Sequence, residues 1–506
     1  MPAFPGLVTG ALAGAVILGL LALAVGAAPA AVAGNGCHAA VGGMQHAQTL
    51  RGGGGGRDAA FVGPATWAQT AEGQRLRQEI KKRPWGPFSR SASRKRKLIS
   101  DPASAVILQG FDWEAMTKKE ELYPLLAGQM PRIADAGIDV VWFPPPSASA
   151  DLHGYLPGKW YSVPSEDLLL KATAAAAAEG VVAMVDVVLN HRTATAISNV
   201  THDWTAFEEP AWGDWAVVKD DWKCPPEDHL KFCTDNATCG SLDTGENACY
   251  APDIDHHDTR VQVDTTKWLQ WLMSHLGFDA FRLDNTKGYA GSFAAQYLAA
   301  TKPVMAVAEF FDTNKELLTG WLNHSEHRSS LFDFGLRYKL KDSVRTGNFE
   351  HLRDEFFGPM IWYAPTNAVS FLDNHDTAGD LNDRFGTDEE LMMGYAFLLT
   401  HPGVPCIFWQ DWNGVLQGEI EKLIAIRREA GVSTGSTWNL LEAKEGLYAG
   451  IVKGAAYHVA LKLGSADWSP NSAIIPPSLG MESTMRWERQ ASGPGYAVWW
   501  RDAVPA

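Results

Sequence analysis

The chain reads as an α/β protein built on a (β/α)8 (TIM) barrel, with an irregular insertion after the third strand and a C-terminal antiparallel β domain. Three observations predict this. First, short apolar runs alternate with stretches of helical spacing from residue 105 to residue 430, and alternation at that pace implies parallel strands joined by right-handed crossovers. Second, eight such apolar runs can be counted, the number a barrel needs. Third, the rhythm breaks once, at 192–258, and after residue 430 gives way to short alternating runs (GLYAGIV, AYHVALKL, GYAVWW) typical of a two-faced sheet.

Taken in order, AVILQGF (105–111) is the first strand. Helical spacing over 120–136 stops at Gly137, and IDVVWFPP (138–145) is the second strand. A helix at 167–179 ends at Gly180, and VVAMVDVVLNH (181–191) is the third strand. Beyond the insertion, a helix at 261–275 leads to GFDAFRLD (277–284), and a helix at 292–300 leads to PVMAVAEFF (303–311). SLFDFG (330–335) and NAVSFLDNHD (367–376) are the sixth and seventh strands. A helix at 389–400, the strand VPCIFW (404–409) and a helix at 417–429 complete the barrel. The expected domains are a barrel at 104–430, an inserted domain at 192–258 and a C-terminal β domain at 431–506.

Residues 1–34 are apolar and small, densest at 15–25, and close on the Ala-rich AAPAAVAG. A cleaved secretory signal is the first reading, despite the absence of Lys or Arg before Arg51. A membrane anchor over 6–33 and a plastid transit peptide are the alternatives. Residues 35–103, with GGGGG at 52–56 and SRSASRKRKL at 89–98, read as a flexible low-complexity linker. Four of the six cysteines (Cys224, Cys233, Cys239, Cys249) fall in the insertion at spacings unlike a zinc ribbon or finger, so two disulfides are expected, with the pairing open. Cys406 reads as a buried free thiol, and Cys37 lies near the leader. Sequons at Asn199, Asn236 and Asn323 agree with secretion after signal cleavage, leaving no stable membrane association; plastid or vacuole are the alternatives, and a monomer is the default. A net charge of −15, from 43 basic and 58 acidic residues, argues against a nucleic-acid partner. Most of the 20 tryptophans belong to cores, and the faces of others can stack on sugar rings.

The chemistry lies at the strand ends. Arg282 and Asp284 stand two apart and so share one face of a buried strand. Asp186, Asn190 and His191 end the third strand, Glu309 the fifth, and His375 and Asp376 the seventh. Three acids around one barrel mouth repel one another, which costs stability and calls for a function. Glycoside hydrolysis needs such carboxylates: one attacks the anomeric carbon, one protonates the leaving oxygen, and a third raises the acid's pKa. Metal-dependent hydrolysis needs more His and Asp ligands close together than these ends offer.

Four motifs carry a resemblance: DVVLNHR (186–192), GFDAFRLD (277–284), VAEFFD (307–312) and FLDNHDT (371–377). With QGFDWEA (109–115), GYLPGKWY (154–161), APDIDH (251–256) and GYAFLLTHPGVPCIF (394–408), the chain resembles an α-amylase of the plant and green-algal type over residues 104–502. The resemblance implies an endo-acting, retaining α-1,4-glucan hydrolase, with Asp284 as nucleophile, Glu309 as acid/base and Asp376 as transition-state stabiliser. It further implies that Arg282 orients the nucleophile, that His191 and His375 bind hydroxyls, that Tyr155 stacks under the sugar, and that Lys287 contacts substrate. A structural Ca²⁺ is implied at Asn190, Asp253 and the Gly288 carbonyl, with Asp243 and Asn247 as further ligand candidates. The run Asn285-Thr286-Lys287-Gly288-Tyr289 departs from the plant pattern, which has Phe-Ala after the nucleophile. The alternatives are an α-glucosidase or transglycosylase of the same fold, and a non-catalytic membrane-anchored or starch-binding relative.

Overall fold

The computed structural model describes residues 101–224, 230–353, 358–379, 381–475 and 486–503. The leader at 1–34, Cys37 and the basic run at 89–98 lie outside the described residues. The chain enters the barrel with β1 (Ile107–Gln109), α1 (Lys119–Asp135) and β2 (Val140–Phe143). The loop after β2 carries a two-stranded antiparallel sheet, β3 (Ala148–Ser149) and β4 (Pro157–Lys159). Next come α2 (Glu166–Glu179) and β5 (Val182–Val188). Between β5 and α3 (Thr259–Ser274) the described residues form isolated bridges and a short 3-10 turn at Asp214–Ala216. Regular alternation resumes with β6 (Ala280–Asp284), α4 (Gly291–Thr301), β7 (Met305–Ala308), α5 (Lys315–His324), β8 (Ser330–Phe332) and α6 (Phe334–Thr346). It ends with α7 (Met360–Tyr363), β9 (Ala368–Phe371), α8 (His375–Ala378), α9 (Asp388–Thr400), β10 (Val404–Ile407), α10 (Trp409–Trp412) and α11 (Gln417–Ala430).

Eight parallel strands close in the order β1-β10-β9-β8-β7-β6-β5-β2. They are buried on both faces, as the unbroken Val-rich β5 illustrates, because helices cover the outside and packed side chains fill the inside. β1 closes the barrel against β10, with Ile107 opposite Cys406. The helix boundaries follow local chemistry. Gly180 and Gly431 adopt the left-handed conformation (φ +75 and +68) that ends α2 and α11. Thr387 and Glu390 form a capping box that starts α9.

Two readings from periodicity are corrected. SLFDFG (330–335) is not one strand: β8 stops at Phe332, and the Asp333 side chain accepts from the Leu336 amide, so the chain turns into α6 at Phe334. A helix over Lys315–His324 was also not anticipated; Asn314 caps it by accepting from the Leu317 amide. Among the described residues no helix is long and apolar enough to cross a membrane.

The C-terminal strands β11 (Thr437–Lys444), β12 (Leu447–Lys453), β13 (Tyr457–Leu463), β14 (Glu488–Gly493) and β15 (Tyr496–Asp502) form an antiparallel sheet in the order β11-β12-β13-β15-β14. Its junction with the barrel holds a buried polar chain: Arg427 donates to the His401 and Gly403 carbonyls, and His401 Nε2 meets the Tyr448 hydroxyl at 2.7 Å.

Candidate active site

Register places the site. The β5–β6 pairing sets Asp186 opposite Arg282, and two residues on sets Val188 opposite Asp284. Asp186, Arg282 and Asp284 therefore line one side of the mouth where these strands end. Arg282 is almost fully buried, and its two terminal nitrogens divide three carboxylates between them. Nη1 lies 2.9 Å from Asp186 Oδ1 and 2.5 Å from Asp284 Oδ1, while Nη2 lies 2.8 Å from Glu309 Oε2. Burial opposes the arginine's charge, but the acids around it more than offset that and hold the guanidinium well above its ordinary range.

Glu309 follows β7 directly. Its amide donates to the Leu283 carbonyl, and its own carbonyl accepts from the Thr286 amide and hydroxyl. A side-chain hydrogen bond joins Glu309 to Asp284. Burial pushes the Glu309 carboxyl above its usual value; Arg282 pulls it down, and the charge of Asp284 and the shared bond push it up. Asp284 is raised by burial too, but Arg282 and the same bond work to keep it ionised. The shared bond thus acts in opposite senses on the two groups, raising Glu309 and lowering Asp284. Asp376 stands in the first turn of α8 with its side chain 31% exposed. The surrounding protein, then the charge of Glu309, hold its carboxyl well above the ordinary range.

A chain of hydrogen bonds backs the acids. Gln109 Nε2 donates to His375 Nδ1 (2.9 Å), His375 Nε2 meets the Tyr155 hydroxyl (2.7 Å), and that hydroxyl donates to Asp186 Oδ2 (2.9 Å). Because Nδ1 accepts, His375 is the neutral Nε2–H tautomer; burial, with Arg282 and His153 nearby, keeps its pKa well below normal. The Tyr155 ring stacks on His375 at 5.2 Å. His191, which burial lowers to about 4, donates from Nε2 to the Tyr155 carbonyl at 2.8 Å. All of the expected mouth residues therefore converge except Lys287. That side chain is held on the rim between Glu246 (2.9 Å) and Asp312 (3.0 Å), bridging the insertion to the loop after β7.

Three contributors were not foreseen. Gln109 orients His375, and the Trp142 indole donates to Asp186 Oδ2 at 3.1 Å. Both sit on strands at the barrel mouth, and that position was the available signal. Asp373, fully buried, accepts from Arg337 (3.3 Å), Arg384 (3.2 Å), the Phe385 amide and the Thr377 hydroxyl, anchoring the loop that presents His375 and Asp376. It is the first acid of the DNHD run, and only the two residues ending that run had drawn notice.

Beside the mouth lies a set of oxygens suited to a hard cation. Asn190 Nδ2 donates to Asp253 Oδ1 (2.7 Å), while Asn190 Oδ1 is buried without a hydrogen-bond partner among the described residues. Asp221 Oδ1 is likewise buried and unpartnered, and its other oxygen accepts from the Asp253 amide at 2.8 Å. Burial, then the charges of Asp221 and Asp243, hold the Asp253 carboxyl well above its ordinary value. Gly288 packs so tightly on this group that an added Cβ would lie 1.9 Å from Asn190 Oδ1. Among the described residues no three His, Cys, Asp or Glu side chains gather as a metal cage, so the donors here are a mixed amide and carboxylate set. Hard oxygen donors of that kind fit Ca²⁺. Asp243 and Asn247 make other bonds: Asp243 Oδ1 accepts from the Thr244 and Gly245 amides, and Asn247 Nδ2 donates to the Trp222 carbonyl. The insertion is closed by disulfides Cys224–Cys249 and Cys233–Cys239, and Cys406 is a buried free thiol.

Comparison with known proteins agrees with this geometry. The family described as the α-amylase C-terminal β-sheet domain matches residues 429–500. The chain is 33% identical over 420 residues to the probable α-amylase 2 of Arabidopsis thaliana, covering 78% of this chain and 93% of that one. It is 29% identical over 416 residues to the chloroplastic α-amylase 3 of the same plant, spanning 78% of this chain and 44% of that protein. Among solved structures, an Anoxybacillus α-amylase superposes with a TM-score of 0.58 at 15% identity, covering 80% of this chain and 99% of the other, which speaks for the fold alone. With a relative that close over nearly its whole length, and with the acids of the four motifs gathered at one barrel mouth, the chain belongs to the α-amylase family of glycoside hydrolases.

Proposed function

We propose that this enzyme cleaves internal α-1,4 bonds of starch-like glucans with retention of anomeric configuration, Asp284 attacking the anomeric carbon and Glu309 protonating the leaving oxygen. The observation that carries the reading is that these two acids lie against the same buried guanidinium and share a bond that raises Glu309 and lowers Asp284. Arg282 keeps Asp284 ionised and aims it. Once the glycosyl–Asp284 ester forms, Glu309 is left ionised and takes a proton from the incoming water, which restores the starting state. Asp376 faces the same mouth and binds sugar hydroxyls, so its contacts tighten as the ring flattens toward the transition state, while His375, its Nε2–H donated to the Tyr155 hydroxyl, holds the tyrosine ring in place.

A bound Ca²⁺ would be held by Asn190, Asp253 and the Gly288 carbonyl, with Asp221 close by. Its contribution is structural, tying the insertion to the ends of β5 and β6. Tyr155 and His191 then form a fixed floor, because His191 is itself bridged to Asp253.

The test is hydrolysis of end-blocked maltoheptaose and of soluble starch by wild type and Glu309→Gln, with the released anomer followed by NMR. The reading expects α-anomeric fragments from wild type and near-complete loss in the variant. Turnover confined to short unblocked maltosides, or transfer in place of hydrolysis, would replace it with an α-glucosidase or a transglycosylase.

A further inference from the structure

We propose that Tyr250 is a specificity-determining substrate contact, a stacking platform for a glucosyl ring on the insertion side of the cleft. The inference rests on the α-glucan reading above and deepens it.

Tyr250 stands at the end of a turn built to present it. Cys249 adopts a left-handed conformation (φ +35), which redirects the chain sharply at that point. The Cys224–Cys249 disulfide fixes the turn covalently. Its backbone is held as well, by the Cys224 amide on the Cys249 carbonyl (2.9 Å) and the Cys249 amide on Asn247 Oδ1 (3.2 Å). Beyond it, Asp253 bridges back to His191, so the platform is braced from both ends.

The ring meets His191 at 4.9 Å with an interplanar angle of 87°. A perpendicular contact uses at most one face of the tyrosine and leaves the other open. His191 is buried and bonded to the Tyr155 carbonyl, while Tyr250 is 55% exposed. A large aromatic left this open beside a catalytic mouth is not explained by core packing. His191, which the ring touches, is bonded to the Tyr155 carbonyl, and the Tyr155 hydroxyl meets Asp186 and His375, so the ring stands beside the mouth; the cleft walls, then the charges of Asp284, Asp253, Glu309 and Asp376, push its phenol up. Tyr155 stacks on His375. The geometry therefore gives the cleft an aromatic ring on its floor and another on its insertion wall. The C–H-rich face of a pyranose is the ligand surface that matches such a flat, half-open ring.

The experiment compares wild type, Y250A, Y250F and Y250W by kcat and KM on end-blocked maltoheptaose, by the cleavage pattern on the unblocked sugar, and by the Kd of maltoheptaose measured calorimetrically in a Glu309→Gln background. Removing one apolar contact surface should lower kcat/KM and weaken Kd by about tenfold in Y250A, mainly through KM, and shift the bond cleaved. Y250F and Y250W, which keep a ring, should recover most of the loss. An unchanged melting temperature for Y250A separates the effect from misfolding. If wild type hydrolyses the glucan while Y250A leaves KM, Kd and cleavage pattern unchanged, the platform is wrong and the enzyme reading stands. If Y250F is as impaired as Y250A, the hydroxyl matters and stacking is overturned. If wild type turns over no α-glucan, the functional reading fails and the platform with it.

Discussion

Arg282 Nη2 lies 2.8 Å from Glu309 Oε2, while Nη1 of the same guanidinium reaches Asp284 and Asp186. One buried cation therefore sets the ionisation of every acid on this side of the cleft. Arg282→Met should cost at least about a hundredfold in kcat, since the nucleophile is no longer aimed. It should also destabilise the fold by about 3–5 kcal/mol, because Asp186 and Asp284 lose the buried cation that pairs with them. Arg282→Lys should rescue little, since an ammonium cannot reproduce the fork. Denaturant unfolding beside hydrolysis assays tests both halves; a stable, active Arg282→Met would remove arginine from the mechanism.

The Glu309 carboxyl is raised in the folded state, so the native protein holds that proton more tightly than the unfolded chain does. The associated stability is fully present below the ordinary glutamate value and is lost as pH rises through the raised one. Activity should fall on the same alkaline limb, because the acid must enter the reaction protonated. Glu309→Gln should be about 10²–10⁴-fold slower than wild type, yet should lose less melting temperature between neutral and alkaline pH. Parallel thermal scans decide this, and equal alkaline losses in the two proteins would count against it.

Asn190 Oδ1 and Asp221 Oδ1, both buried without partners among the described residues, should make the fold cation-dependent. Ca²⁺ at a hundredfold over its Kd should add about 2.7 kcal/mol, and a chelator should take it away. Asn190→Ala should melt at one temperature with or without the ion. Gly288→Ala should fail even with Ca²⁺ present, since its methyl would occupy the space of Asn190 Oδ1.

Asp373 receives Arg337, Arg384, the Phe385 amide and the Thr377 hydroxyl from within the protein and faces no substrate. Asp373→Ala should cost about 1–3 kcal/mol by leaving the Phe385 amide and the Thr377 hydroxyl without their buried acceptor, while Arg337 keeps its pair with Asp383. Because the loop it anchors carries His375 and Asp376, kcat should fall more than KM rises. A variant with wild-type kcat and lowered stability would reduce Asp373 to a purely structural role.

Much of this molecule is legible in its sequence. Parallel strands buried on both faces announce themselves as unbroken apolar runs, so every barrel strand falls within an expected segment, and the polar residues ending those runs stand out. Asp284, Glu309 and Asp376 were visible for that reason. What escaped depends on context that periodicity does not carry. Asp333 looks like part of a strand until its side chain is seen capping a helix. Trp142 looks like core until its indole reaches Asp186. Lys287 sits three residues after the strand that carries Asp284, yet is drawn to Glu246 and Asp312. Tyr250 lies in a segment without regular structure, where no repeat marks which ring is exposed.

The bond from Gln109 to His375 spans 266 residues and crosses the seam where the first strand of the barrel meets the last. A refolding chain can assemble its successive strand–helix pairs locally and still lack that bond, because it requires the two ends of the barrel to find each other. Contacts of such long range form late and slowly. The return of glucan hydrolysis after dilution from denaturant should therefore lag the return of helical circular dichroism, which makes catalysis itself the signal that the ring has closed.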